Sequence, residues 1–283
     1  MKHTDLIELS PSFATEVNVR RDFDFELPEQ NRKKIDGYIP NKSVRIIIKQ
    51  VIENSIEASD KKLHLVSASY GTGKSYLLLI LANLFKYNDP GILKEFISKV
   101  HDKEDYYYDD LSSSLESHMS SNKYLVVIPN YADSDFSHAL LEALKHSLVK
   151  YEIDYTPNTY YDKAIKLLQK WDSTKNPLIK NFNDQLVDIK LEHFIQQLEE
   201  YSNKAFQSFL DIYFQVVGSE FSFGHSDPFR VYEETSKHIR KEGLRGIVIL
   251  YDEFGDFLSK IINNSETSGL PIQDFLASTV ADQ

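Results

Sequence analysis

Cysteine is absent from the 283-residue chain, which rules out disulfides and any zinc or iron–sulfur centre held by thiolates. A chain without thiols suits a reducing compartment, so the cytoplasm is the expected location. Long apolar runs are missing too. No stretch approaches the roughly 18 to 20 apolar residues that a membrane span needs. The opening residues, MKHTDLIELSPSF, lack the apolar centre of a secretory leader, and no membrane contact is expected. Positive charge is in deficit: 32 Lys and Arg against 43 Asp and Glu leave a formal net charge of −11. Broad contact with nucleic-acid phosphates needs clustered cations, so DNA contact by this segment is not supported. A basic cluster near the N-terminus (Arg20, Arg21, Arg32, Lys33 and Lys34) reads as a solvated face or an intramolecular ion-pair surface. The histidines His64, His101, His138, His146, His193, His225 and His238 are scattered without metal-ligand spacing, and no Gly-x-Ser-x-Gly elbow suggests a hydrolase triad.

What is present is enough apolar residue for a sizeable core: 41% hydrophobic against 27% charged. Three near-continuous apolar runs stand out, at Leu63–Val66, Tyr124–Ile128 and Gly246–Tyr251. Such runs, separated by helical periodicity, predict a parallel sheet with helices on both faces. Ser43 is the expected cap of a helix over 44–58, with Val44, Ile47, Ile48, Val51 and Ile52 on one face. The run Tyr76–Leu84 is apolar nearly all round, as a helix buried against a sheet must be. Segments 161–171, 189–215 and 227–241 carry apolar residues three and four apart, and Ser134 or Asp135 starts a further helix to about Lys150. Trp171, on one of these stripes, is a core candidate. Between 87 and 122 an acidic tyrosine run and a serine cluster predict a short helix near 92–100 followed by a mobile excursion.

The chemistry concentrates in Ala68-Ser69-Tyr70-Gly71-Thr72-Gly73-Lys74-Ser75. A strand running into a glycine-bearing turn, with a helix starting at the Lys-Ser pair, is the context in which backbone N–H groups cradle phosphate oxygens. Lys74 is expected to reach the β- and γ-phosphates, and the Ser75 hydroxyl to complete a Mg²⁺ shell. Tyr70, Gly71, Thr72, Gly73 and Tyr76 complete the expected binding loop. The usual first glycine is Ala68 here, so the motif is one glycine short. A chance glycine turn is the competing reading, and the strand-and-helix context argues against it.

The second element is the apolar run that ends in Asp252-Glu253. In P-loop ATPases an aspartate at such a strand end holds Mg²⁺, usually through water, and a following glutamate can orient the attacking water. Alone, a strand ending in two carboxylates is commonplace; a phosphate loop upstream gives it meaning. An adjacent glutamate and the lack of an Asn-Lys-x-Asp element favour ATP over GTP. Lys74, Asp252 and Glu253 are thus the catalytic candidates, with Ser75 and Asp252 as metal ligands.

Together Tyr70-Gly71-Thr72-Gly73-Lys74-Ser75-Tyr76-Leu77, Tyr251-Asp252-Glu253-Phe254-Gly255 and Gly37-Tyr38-Ile39-Pro40 resemble large bacterial AAA+/STAND-like P-loop ATPases of phage-defence islands, including the BREX-type ATPases. The resemblance spans about 12–265, with pattern but no motif between 87 and 240. It implies a three-layer P-loop sandwich, ATP and Mg²⁺ as cofactors, and ATP-driven switching beside other subunits of a defence complex or in a homo-oligomer. In that frame residues 1–60 form an N-terminal arm and linker helix. Residues 61–283 form the ATPase domain, with an insertion at 87–122 and a helical region at 135–240, cut short at the C-terminus. Tyr38 or Ile39 would pack on adenine; the alternative is a turn that anchors the arm to the core. A nucleotide-gated scaffold with little turnover, and a translocase or helicase completed by further domains, stay open beside the ATPase reading.

Overall fold

The computed structural model describes residues 17–25, 28–56, 61–69, 71–86, 96, 98–100, 111–121, 123–130, 135–187, 189–222 and 228–263. Among these residues the chain is mostly helical with a small two-stranded parallel sheet, compatible with an α/β fold. It divides into two compact units: Met1–Ala132 with Ile239–Gln283, and Asp133–His238.

The first unit holds the sheet. Strands β1 (Leu125–Val127) and β2 (Ile247–Ile249) run parallel, with Leu125 opposite Ile247, Val126 opposite Val248 and Val127 opposite Ile249. Both are drawn from continuous apolar runs, as strands covered on two faces require. All of β1 is buried, whereas β2 is partly exposed at each position. The Leu125 N–H donates to the Gly246 carbonyl, and the Leu250 N–H to the Val127 carbonyl, both at 2.9 Å. By the alternation of a parallel ladder, the amides and carbonyls of Ile247 and Ile249 face away from β1. Among the described residues β2 pairs with β1 alone.

The third expected strand does not form. Residues 61–69 are irregular, with Leu63 50% and Leu65 77% exposed. Apolar, β-compatible residues become a strand only where a partner edge takes their amides, and here no ladder is made.

Helix α1 (Pro28–Gly37) and α2 (Lys42–Ile56) precede that segment, α3 (Lys74–Lys86) follows it, and α4 (Leu111–Ser121) precedes β1. The cap of α2 is Asn41, not Ser43. Its side-chain oxygen accepts from the Val44 N–H at 3.0 Å and its carbonyl from the Arg45 N–H at 3.0 Å. A short acceptor side chain is equally good from Asn or Ser, and the Asn stands where the helix begins. Val44, Ile48 and Ile52 then bury the expected stripe.

Part of the expected mobile excursion is a packed helix. Leu111, Leu115 and His118 of α4 are all fully buried, and α4 packs on α2. Spacings of four and three residues put them on one face, and burying each leucine is worth about 2 kcal/mol. The serines around them disguised the stripe. Of the expected helix near 92–100, Phe96 and 98–100 are helical; the acidic tyrosine run lies outside the described residues.

The second unit is all helical as described: α5 (Phe136–Lys150), α6 (Tyr160–Ser173), α7 (Pro177–Gln185), α8 (Leu191–Glu199), α9 (Asn203–Val217) and most of α10 (Pro228–Ile239). Asp135 caps α5 through the His138 N–H, and Thr159 with Asp162 makes a reciprocal capping box on α6. The single long periodic segment at 189–215 is two helices. Tyr201 sits at φ +58°, and Ser202 caps α9 by accepting from the Ala205 N–H. An aromatic core joins α6 to α9: Trp171 stacks on Tyr213 at 6.0 Å, and Phe182 meets Phe194 edge-on at 5.7 Å.

Candidate functional site

The glycine turn of the first unit bends where the sequence says it must. Gly71 and Gly73 have φ of +77° and +89°, a region that costs other residues roughly 1–2 kcal/mol. Among the described residues, a methyl on Gly73 would meet the Tyr38 ring, 3.8 Å from its hydroxyl oxygen. Backbone conformation, not crowding, therefore requires glycine there. The Gly73 carbonyl accepts from the Leu77 N–H at 3.0 Å, which opens α3. The amides of Lys74 and Ser75, in the first turn, thus lie at the positive end of the helix dipole, where a helix makes no internal bond to them.

The remainder of the loop is tied to itself. The Thr72 hydroxyl donates to the Ser69 carbonyl at 2.8 Å. The Lys74 ammonium donates to the carbonyls of Ala68 at 2.9 Å and Ser69 at 3.1 Å. Both of those carbonyl contacts are exposed. Ser75 lies in the first turn of α3, partly buried. Tyr70 lies outside the described residues. Behind the loop α3 is anchored by Leu79, Ile80, Ala82 and Leu84, all essentially without exposure, and packs against β1.

The Gly37-Tyr38-Ile39-Pro40 turn meets this loop. Tyr38 stacks on Tyr76 with ring centroids 5.2 Å apart and planes 18° apart. Burial and the neighbouring Tyr76 push the Tyr38 hydroxyl above its usual pKa, so it stays protonated. Ile39 is 67% exposed. The turn is held from below. The Tyr38 N–H donates to Ile35 at 3.0 Å. Lys34 of α1 pairs at 2.8 Å with Asp22, which is fully buried and also takes the Arg21 side chain at 2.8 Å. Two members of the basic cluster are thus committed to an internal ion pair. Nothing in the sequence marked Asp22 as their partner.

Asp252 and Glu253 stand where β2 passes into α11 (Phe254–Asn263). The Asp252 carboxylate accepts from the Glu253 N–H at 3.1 Å, and the Glu253 carbonyl accepts from Asp256 at 3.1 Å to open the helix. Glu253 has φ +53°. Tyr251, Phe254 and Phe257 cluster beneath, with Tyr251 and Phe254 centroids 5.2 Å apart.

The structure therefore brings Tyr38 to Gly73 and Tyr76, ties Lys74 to Ala68 and Ser69, and joins Asp252 to the Glu253 N–H. Among the described residues no hydrogen bond or ion pair joins Lys74 or Ser75 to Asp252 or Glu253. Nor is any group of three or more His, Asp or Glu placed to hold a metal ion among them. No helix among the described residues is long and apolar enough to cross a membrane. No family model, curated protein or solved structure matches the chain, so the likeness to defence ATPases rests on the motifs themselves.

Proposed function

We propose that the chain binds Mg-ATP at the glycine turn and the start of α3, and hydrolyses it as the motor or switch subunit of a multi-protein bacterial system, anti-phage defence being the setting the motifs suggest. One observation carries the reading: two glycines at positive φ deliver Lys74 and Ser75 into the first turn of a buried, 13-residue apolar helix. That geometry sets the amides at the start of the helix, and the Lys74 ammonium held in the same loop, where backbone N–H groups and a helix N-terminus receive an anion. The donor set fits the group, since hard oxygens from Ser75 and Asp252 suit Mg²⁺. Mg²⁺ would supply charge neutralisation at the phosphates when bound. In this reading Ser75 and Asp252 would hold the ion, Lys74 would stabilise the phosphates, and Glu253 would orient water. Two parallel strands between helices support the finer fold as well, a P-loop sandwich that would contain β1 and β2.

A second reading has a specific observation in its favour. The loop and the carboxylate turn share no hydrogen bond or ion pair among the described residues, as suits a nucleotide-gated scaffold that binds without turnover. Calorimetry with Mg-ATP, and phosphate release from the same samples, separate the two. Lys74→Ala is expected to lose binding, and Glu253→Gln to bind normally yet release no phosphate. Tight binding with no release in the unsubstituted chain would establish the scaffold; no binding at all would end the nucleotide reading.

A further inference from the structure

We infer that Tyr38 is a positioning residue for the phosphate loop and not a platform for the base, an inference that rests on the nucleotide site proposed above. One face of its ring is already covered by Tyr76 in a near-parallel stack. Its edge lies against Gly73, with the hydroxyl 3.8 Å and a ring carbon 3.9 Å from where a Cβ on that glycine would stand. The ring is therefore spent on the loop at the residue whose φ of +89° shapes the turn.

Tyr38 is also a fixed wall. Its N–H is held by Ile35 at the end of α1, and Lys34 in the same turn of that helix is clamped on buried Asp22. Both α1 and the turn at Arg21–Phe25 pack on α3. The N-terminal arm thus braces the helix that carries Lys74 and Ser75, and its last contact falls on the loop itself. A wall at this point acts on every phosphate-bearing ligand alike, because it sets the amides that meet phosphate. A base platform would act only on ligands that have a base.

This difference gives the test. Calorimetric affinities would be measured on the full chain for Mg-ATP and for Mg-tripolyphosphate, which lacks sugar and base. Tyr38→Ala is expected to weaken both ligands by the same factor, about tenfold, the scale of one aromatic pair. Tyr38→Phe, which keeps the stack and the edge contact, is expected to restore both. Should the alanine variant fail to fold, Tyr38→Leu keeps bulk without the aromatic face and carries the same comparison. Weaker ATP with unchanged tripolyphosphate would overturn the inference and return Tyr38 to the base. Unchanged affinity for both would overturn it outright. An unsubstituted chain that bound neither would sink the nucleotide reading and this inference with it, whereas binding to both that ignores Tyr38 sinks this inference alone.

Discussion

Glu253 is a large acidic residue held at φ +53°, where glycine would sit without strain and a side chain costs roughly 1–2 kcal/mol. Strain of that kind persists where surroundings impose it, and it gathers at working sites. Replacing Glu253 with glycine relieves the strain but adds back chain entropy in the unfolded state, roughly 0.5–1 kcal/mol. The net expectation is a gain of about 0.5 kcal/mol, read as a small rise in melting temperature, together with loss of phosphate release. Glu253→Gln keeps the strain and should leave melting where it is. If Glu253→Gly melted lower than the parent, the backbone at this turn would be serving the fold and not the chemistry. Gly73 makes the opposite case, because there the residue matches its conformation at φ +89°.

At the scale of elements, α4 shows what the serines concealed. His118 lies fully buried on this helix with its Nε2 at 3.0 Å from the Leu84 carbonyl, edge-on to Phe85 and stacked with Tyr124. Burial pushes its imidazole below the usual pKa, partly offset by that hydrogen bond and lowered further by Arg245. The unfolded chain therefore takes up a proton first as pH falls, near the ordinary value of about 6.5. The stability that neutral His118 contributes is full above that pH and is lost as pH drops below it, levelling only beneath the lowered folded-state value. Melting temperature measured from pH 5 to 8 should rise with pH, with a shallower rise in His118→Gln; His64, shifted downward mainly by burial as well, leaves a residual slope. An unchanged slope in the variant would remove His118 as the cause.

The same elements show how far the sequence could be read. Runs of consecutive apolar residues announced β1 and β2 because a parallel strand is covered on both faces. The periodic stripes of α2, α5, α6 and α10 were legible because one face alone is buried. Leu63–Val66 misled because composition says nothing of whether a neighbouring edge is within reach. The break at Tyr201 was carried by backbone conformation, with Ser202 as its only trace. Gly71, Gly73, Lys74 and Ser75 could be placed from their spacing, whereas the clamp of Lys34 on Asp22 and the seat of Tyr38 on Gly73 come from packing between segments that no local pattern encodes.

At the scale of the whole molecule, Asp133–His238 carries a core of its own. Phe182 and Phe209 are fully buried and their rings lie 6.0 Å apart, Trp171 is 7% exposed, and the Tyr232 hydroxyl donates to Leu140 at 2.8 Å. A unit of this size with a contiguous aromatic core is large enough to fold alone. Residues 133–238 expressed by themselves are expected to melt cooperatively, with the emission of Trp171, the chain's one tryptophan, as blue as in the full chain. A red-shifted emission without a transition would show that this unit depends on the other for its fold.

Among the described residues, the outer edge of β2 offers the unused amides and carbonyls of Ile247 and Ile249, and its three residues carry no charge, proline or bulge of the kind that guards an edge. An edge of this kind is where an extended segment pairs, whether it comes from the same chain or from a neighbour, so the sheet's width is not fixed by β1 and β2 alone.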